Sequence, residues 1–219
     1  MSDTARFPDV MLLTAGEERA LTPVAGLPIA ERIMANARAE GARHFVANGL
    51  AGDHGVLAHF GGLVKVSREE VAQGSGGGIR QALPMLHSDP FLVMTMQGFW
   101  PAGSDKPLAR MLSSPIGSHD IVLLCVHPRD VVGFGRSHDF CLSPQGLITN
   151  DYGAPVVFAG VALMGKAVFA GMPDGAFALD GLFDAAMERE SLFGVALDAP
   201  WFYVGDDAGI AAAEGQLQP

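Results

Sequence analysis

The stretch from Gln73 to Gly78 is the part of this sequence whose residue types best suit ligand binding, because four of its six residues are glycine. Glycine lets the backbone approach a flat ligand closely, and free N–H groups at a helix start can bind an acceptor or an anion. An amphipathic helix is predicted directly after it, over 79–86. We therefore expect a ligand-binding turn here. The alternative is a tight strand-to-helix turn that binds nothing.

Other residues that could bind a metal or a ligand are less favourably spaced in the sequence. The seven histidines include no pair four residues apart, and the two cysteines form no Cys-x-x-Cys motif, so we do not expect a zinc site. Arg129 follows a strongly apolar segment and could reach a phosphate or an acidic sugar, or else lie on the surface. Trp100 and Trp201 could each form a pocket wall, or else belong to the core.

Length and composition limit the class of protein. A chain of 219 residues, 49% of them hydrophobic, is predicted to fold as a single domain over 1–219. Its net charge of −10 and lack of any Lys/Arg cluster argue against a nucleic-acid partner. No run of about 18 apolar residues occurs, so no membrane partner is expected. Two cysteines without a secretory signal predict a cytoplasmic protein.

Apolar and amphipathic segments alternate through the first two thirds of the chain, which predicts an α/β three-layer sandwich with a mostly parallel, Rossmann-like sheet. Strands are predicted over 10–14, 44–48, 63–67, 91–95, 120–126, 156–164 and 201–204. Helices are predicted over 28–40, 56–60, 79–86, 108–113, 179–190 and 208–217. A hairpin over 140–149 predicts antiparallel additions to this sheet.

Three turns are expected to meet at one edge of this sheet. They contain Ala15 and Gly16, the glycines from 74 to 78, and the segment from Gln97 to Trp100. In sheets of this type a ligand binds outside the carboxyl ends of the strands. The sequence therefore predicts that these turns share one binding site.

Seven segments, in order and over nearly the whole chain, resemble the sugar-1-phosphate nucleotidyltransferases. The similarity is greatest to the bacterial branch of N-acetylmuramate 1-phosphate uridylyltransferase and mannose-1-phosphate guanylyltransferase-like proteins. The matching segments are 12–16, 20–29, 74–84, 90–93, 139–146, 157–161 and 201–205. The resemblance implies the nucleotidyltransferase fold, a nucleotide or nucleotide-sugar ligand, and a role in cell-wall sugar metabolism. It implies nucleotide-binding roles for Ala15, Gly16, Gly74, Ser75, Gly76 and Gly77.

The phosphate-binding part of the family pattern is altered. Family members wrap the triphosphate in a long first loop that carries glycine and arginine. Here only Glu17 and Glu18 separate Gly16 from Arg19, which matches the family's lysine near the sugar phosphate. Two carboxylates in this position would repel a triphosphate. Arg19 could still bind a phosphate through its guanidinium, or else be a surface residue.

The metal-binding part is altered as well. Gln97 matches the family's metal-binding aspartate, and Tyr203 matches a second one. A neutral amide is a poor ligand for Mg²⁺, which prefers anionic oxygen. Asp105 and Asp206 are candidate substitute metal ligands. For Asp206, capping of the helix that follows is the alternative role.

Two functions of different class follow from the resemblance. The first is a catalytically impaired protein that keeps a nucleotide or nucleotide-sugar pocket and acts by binding, or through a protein partner or a second copy of itself. The second is an active sugar-1-phosphate nucleotidyltransferase, for which Mg²⁺ would be the cofactor. The catalytic positions would be Arg19 and Gln97, and the sugar or phosphate pocket would contain Trp100, Arg129 and Tyr203.

Overall fold

The computed structural model describes residues 7–51, 55–103 and 106–217. Its strands are β1 (Val10–Leu13), β2 (Pro23–Val24), β3 (Leu27–Pro28), β4 (Phe45–Leu50), β5 (Lys65–Glu69), β6 (Phe91–Thr95), β7 (Gly98–Phe99), β8 (Ile121–Val126), β9 (Val131–Val132), β10 (Phe140–Leu142), β11 (Ile148–Thr149), β12 (Ala154–Met164), β13 (Leu192–Ala196) and β14 (Trp201–Tyr203). Its α-helices are α1 (Ile29–Glu40), α2 (Gly55–Phe60), α3 (Gly74–Ala82), α4 (Pro107–Leu112), α5 (Asp180–Glu188) and α6 (Asp207–Leu217).

The main sheet runs in the order β5-β4-β1-β6-β12-β8-β13. Only β12 runs against its neighbours β6 and β8, so this row is mostly parallel. The hairpin β10-β11 pairs antiparallel with the first residues of β12. A smaller sheet, β7-β14-β9, stands apart from this row. The predicted parallel sheet with antiparallel additions is confirmed.

The sheet separates two apolar cores. Val10 and Leu12 of β1 face one core, which contains side chains of α1, α4 and α6. Met11 and Leu13 face the other core, which contains side chains of α3 and α5. Alternation of this kind follows from the two-residue period of a strand. The predicted three-layer arrangement is therefore confirmed.

The two-residue strands β2, β3, β7 and β9 were not expected, and the longer elements differ from the prediction at two main places. The strand β13 was not expected, because Gly194 interrupts its apolar pattern. A Cβ at Gly194 would lie 2.8 Å from the Ile148 and Leu142 side chains, so close packing explains this glycine. The second difference is the helix predicted over 79–86, which begins at Gly74 instead. The glycines from Gly74 to Gly78, which were predicted to form a turn, are thus the N-terminal residues of α3.

None of the helices in the described ranges combines the length and the apolar character needed to cross a membrane. Both cysteines, Cys125 and Cys141, are buried and unpaired. Burial raises the pKa of the Cys125 thiol to about 12. Both cysteines therefore belong to the packed interior, as their apolar surroundings predict.

Candidate functional site

A cavity of about 760 Å³ opens where β1, β4 and β6 end. Of the candidate residues from the sequence, its lining includes Ala15, Gly16, Gly74, Ser75, Gln97 and Tyr203. The lining also includes Glu17 and Trp201, which the sequence had indicated, and residues that it had not indicated, among them Asn48, Phe134, Arg136, His138, Asp139, Asp180 and Asp184. The three turns expected at the carboxyl edge therefore do border one cavity.

A buried polar relay positions two of these turns. The Asn48 side chain accepts a hydrogen bond from the Thr14 N–H at 2.9 Å and donates one to Glu69 at 2.7 Å. The other Glu69 oxygen accepts from the Gln73 N–H at 2.9 Å. Asn48 and Glu69 are 2% and 1% exposed, so water does not compete for these bonds. The relay thus ties the turn after β1 to the start of α3.

The glycines of α3 serve internal packing. The N–H groups of Gly76 and Gly77 both donate to the carbonyl of Phe177, at 3.0 and 3.2 Å. A Cβ on Gly76 would overlap the Phe177 ring. Neither residue lines the cavity, so the expectation that Gly76 and Gly77 contact a nucleotide is corrected. Their N–H groups are already bonded within the protein.

The residues just before them do face the cavity. Gly74 has φ of +67°, a left-handed conformation that favours glycine, and it lines the cavity with Ser75. The Ser75 hydroxyl accepts a hydrogen bond from the Leu179 N–H at 2.7 Å, which fixes its orientation. The part of the glycine stretch that can meet a ligand is therefore limited to its first two residues.

The two positions that match metal-binding aspartates present neutral groups. Gln97 is exposed in the cavity, and its backbone carbonyl accepts from the Val204 N–H at 2.8 Å. Burial, together with the nearby Asp206 carboxylate, raises the pKa of the Tyr203 phenol above its ordinary value. The phenol therefore stays protonated at neutral pH. An amide and a phenol are weak ligands for Mg²⁺.

Of the two candidate substitute ligands, Asp206 is engaged elsewhere. Asp206 caps α6, because its carboxylate accepts from the Gly209 N–H at 2.7 Å, and it does not line the cavity. Asp105 lies outside the described residues. In the described ranges, no group of three or more His, Cys, Asp or Glu side chains could hold a metal ion. The two described positions that match the family's metal ligands therefore offer Mg²⁺ only neutral groups.

The shortened first loop also differs from expectation. Arg19 does not line the cavity; its guanidinium bonds to the Asp207 carboxylate at 3.1 and 3.2 Å. Glu17 is the residue of this loop that reaches the cavity. Burial raises the pKa of the Glu17 carboxyl above its ordinary value, against an opposing effect of Arg19. The loop therefore presents a carboxyl group where the family presents cations.

Two further candidates lie away from the cavity. Trp100 is 4% exposed and packs in the core, where its carbonyl accepts from the Asn36 side chain at 3.0 Å. Arg129 is exposed and forms an ion pair with the adjacent Asp130 at 3.4 Å. The predicted pocket roles of Trp100 and Arg129 are thus corrected. Trp201 of β14 lines the cavity instead.

An aromatic wall closes one side of the cavity. The Phe134 ring packs edge-on against Tyr203, with centroids 5.3 Å apart, and also against Trp201 at 6.5 Å. The Arg136 guanidinium lies over the Phe134 ring, 4.8 Å from its centroid. This wall comes from a loop and from β14, which are far apart in sequence. Their approach was therefore not predictable from either segment alone.

No family model matches the chain. N-acetylmuramate alpha-1-phosphate uridylyltransferase from Caulobacter vibrioides is 32% identical to it over 160 residues. The aligned part covers 70% of this chain and 66% of that relative.

Solved structures share the fold. HddC from Yersinia pseudotuberculosis matches with a TM-score of 0.74 and 13% identity, over 97% of this chain and all of HddC. The HddC complex with GMP-PN matches equally well. The inositol-1-phosphate CTP transferase from T. maritima matches with a TM-score of 0.73 and 14% identity, over 97% of this chain and 98% of that chain.

Proposed function

Because the chain belongs to the sugar-1-phosphate nucleotidyltransferase family, we propose that it binds a nucleotide or a nucleotide-sugar and does not turn it over. One observation carries the proposal. The cavity is lined by Ala15, Gly16, Gly74 and Ser75, which match nucleotide-binding residues of the family, and by Gln97 and Tyr203, which match its metal-binding aspartates.

Loss of catalysis follows from the phosphate side of the cavity. Transfer of a nucleotidyl group needs positive charge on the triphosphate, which metal ions and cationic side chains supply. Gln97 and Tyr203 stand where the family's aspartates would hold that metal. Glu17 adds a carboxyl group, and Arg19 is bonded to Asp207. All of these changes affect charge at the phosphates, whereas Gly74 and Ser75 still line the cavity.

The relative suggests the first ligands to test. It is named as a uridylyltransferase of N-acetylmuramate 1-phosphate. UDP-linked cell-wall sugars are therefore the leading candidates, and GDP-sugars form the comparison set. Such a protein would act in cell-wall sugar metabolism as a sensor or as a partner of an active enzyme or of a second copy of itself.

A binding titration tests the pocket. We expect uridine or guanosine nucleotides, or their sugar conjugates, to shift the unfolding temperature and to give a saturable calorimetric signal. Ala72→Trp should abolish the signal, because Ala72 lines the cavity. The matched control is Val71→Trp, next to it but 66% exposed and outside the lining. Absence of a signal with every ligand would overturn the proposal.

A turnover assay tests the loss of catalysis. Pyrophosphate release would be measured with each nucleoside triphosphate, a panel of sugar 1-phosphates and Mg²⁺, using the Caulobacter uridylyltransferase as the positive control. We expect no release above background. The 32% identity to that enzyme favours an active transferase as the second candidate. Turnover by this chain that is lost in Gln97→Ala would establish that candidate instead.

A further inference from the structure

A nucleotide-sugar brings two negatively charged phosphate groups into the cavity, and their charge needs a counterpart. The described residues contain no group of three or more His, Cys, Asp or Glu side chains that could hold a metal ion, and Gln97 and Tyr203 are neutral. Four carboxyl groups line the cavity, on Glu17, Asp139, Asp180 and Asp184. Unless a cation stands beside the phosphates, this lining repels the ligand proposed above.

Arg136 is the one lysine or arginine among the described lining residues. Its Nη2 lies 3.0 Å from a carboxylate oxygen of Asp139. That carboxylate is 13% exposed, and its second oxygen accepts from the Phe158 N–H at 3.0 Å. Asp139 is therefore held in place, and it anchors one edge of the guanidinium.

The rest of the guanidinium is turned toward open space. The Arg136 side chain is 71% exposed, and no bond to its Nε or Nη1 is found among the described residues. Its planar group lies over the Phe134 ring, which in turn packs against Tyr203. Tyr203 matches the second metal-binding aspartate of the family. Arg136 thus stands beside the position where relatives would hold the metal.

Other cations do not compete for this role. Arg19 is bonded to Asp207, and Arg129 pairs with Asp130 outside the cavity. His138 lines the cavity, but its Nδ1 contacts the Ser137 hydroxyl at 3.1 Å. Among the described lining residues, Arg136 is the one lysine or arginine, and it combines an ion pair to Asp139 with N–H groups that no described residue is found to bond.

We propose that Arg136 takes the place of Mg²⁺ as the counter-charge for the diphosphate of a nucleotide-sugar, so that this chain binds such ligands without a divalent cation. The inference rests on the proposed function. A guanidinium suits the task, because its parallel N–H groups match phosphate oxygens and it stays charged at neutral pH. Asp139 would keep its bond to Nη2 while Nε and Nη1 meet the phosphates.

The test compares ligands with and without phosphate by calorimetric titration. The probes are UDP-N-acetylglucosamine, GDP-mannose, uridine and guanosine, each with EDTA and with MgCl₂. For the nucleotide-sugar that binds, we expect affinity to change less than about twofold on adding Mg²⁺. Arg136→Ala should weaken that ligand about tenfold or more, since a charged hydrogen bond is lost. Arg136→Lys should retain part of the affinity, and Arg129→Ala should change nothing.

The nucleosides separate a charge effect from structural damage. Arg136→Ala should leave nucleoside affinity within about twofold of wild type, because nucleosides carry no phosphate. Equal weakening of both ligand types would overturn the inference, as would binding that requires Mg²⁺. Unchanged nucleotide-sugar affinity in Arg136→Ala would overturn it too. If no probe binds the wild-type chain at all, the proposed function fails first and the inference fails with it.

Discussion

The buried relay centred on Asn48 allows a quantitative prediction. Asn48→Ala removes the acceptor of the Thr14 N–H and the donor to Glu69, which are 1% and 1% exposed. A buried neutral group left unsatisfied costs about 1–3 kcal/mol, and a lost bond to a charged group about 1.5–3 kcal/mol. We therefore expect unfolding to become easier by about 3–5 kcal/mol, a large share of the about 5–15 kcal/mol typical of a domain.

Urea unfolding at neutral pH measures this change through the fluorescence of the two buried tryptophans, Trp100 and Trp201. Asn150→Ala is the control, because Asn150 is exposed, and it should change stability by less than about 0.5 kcal/mol. The reasoning would be refuted by a loss below about 1 kcal/mol for Asn48→Ala. Such a result would mean that water or a rearranged turn replaces the relay.

A second substitution at the same position adds a pH signature. Asn48→Asp keeps the acceptor but sets a second carboxylate against Glu69. Two carboxylates in contact repel each other, and a proton shared between them would relieve that repulsion and restore the lost hydrogen bond. We expect the penalty relative to wild type to shrink as pH falls from about 7 to about 5.

Two further predictions concern the helix α3 and the first loop. Gly76→Ala should destabilise the protein by about 1–3 kcal/mol, since its methyl group would overlap the Phe177 ring. Both changes would be measured by thermal unfolding, with Gly215→Ala as the control for Gly76→Ala. Nothing lies within 4 Å of a Cβ at Gly215, so this control should increase the free energy of unfolding by about 0.5–1 kcal/mol. Glu17→Gln should raise the unfolding temperature at pH 7, because burial raises the pKa of Glu17 and the folded state disfavours its charged form. The benefit should vanish near pH 4, where wild-type Glu17 is protonated; an equal benefit at both values would contradict this cause.

The local sequence pattern was sufficient to predict most of the longer strands and helices. The strand over 91–95 was predicted to the residue, because a continuous apolar run marks a buried parallel strand. The carboxyl-edge turns were found by the same logic. The start of α3 was not, because helix propensity assigns Gly74 to Gly78 to a turn, whereas packing against Phe177 makes those glycines helical.

The site depends more on contacts between distant residues. Arg19 meets Asp207 across 188 positions, and Ser75 meets Leu179 across 104. No local pattern encodes such pairs, so the sequence left two roles open for Arg19, phosphate binding and a surface position, and did not predict its ion pair with Asp207. The sequence contained a weak indication of the role of Asn48, because it is a polar residue within an apolar strand. Its partner Glu69 had none.

The small sheet β7-β14-β9 has a consequence for how the protein is made. It joins residues near 98, 131 and 202, and it carries Tyr203 and Trp201 into the cavity wall. Domains begin to fold while the chain is still leaving the ribosome, with the N-terminal part first. The strands β1, β4, β5 and β6 can pair early, but the cavity stays open on one side until β14 has emerged. Binding of a ligand that needs this wall would therefore wait until β14, Trp201–Tyr203, has left the ribosome.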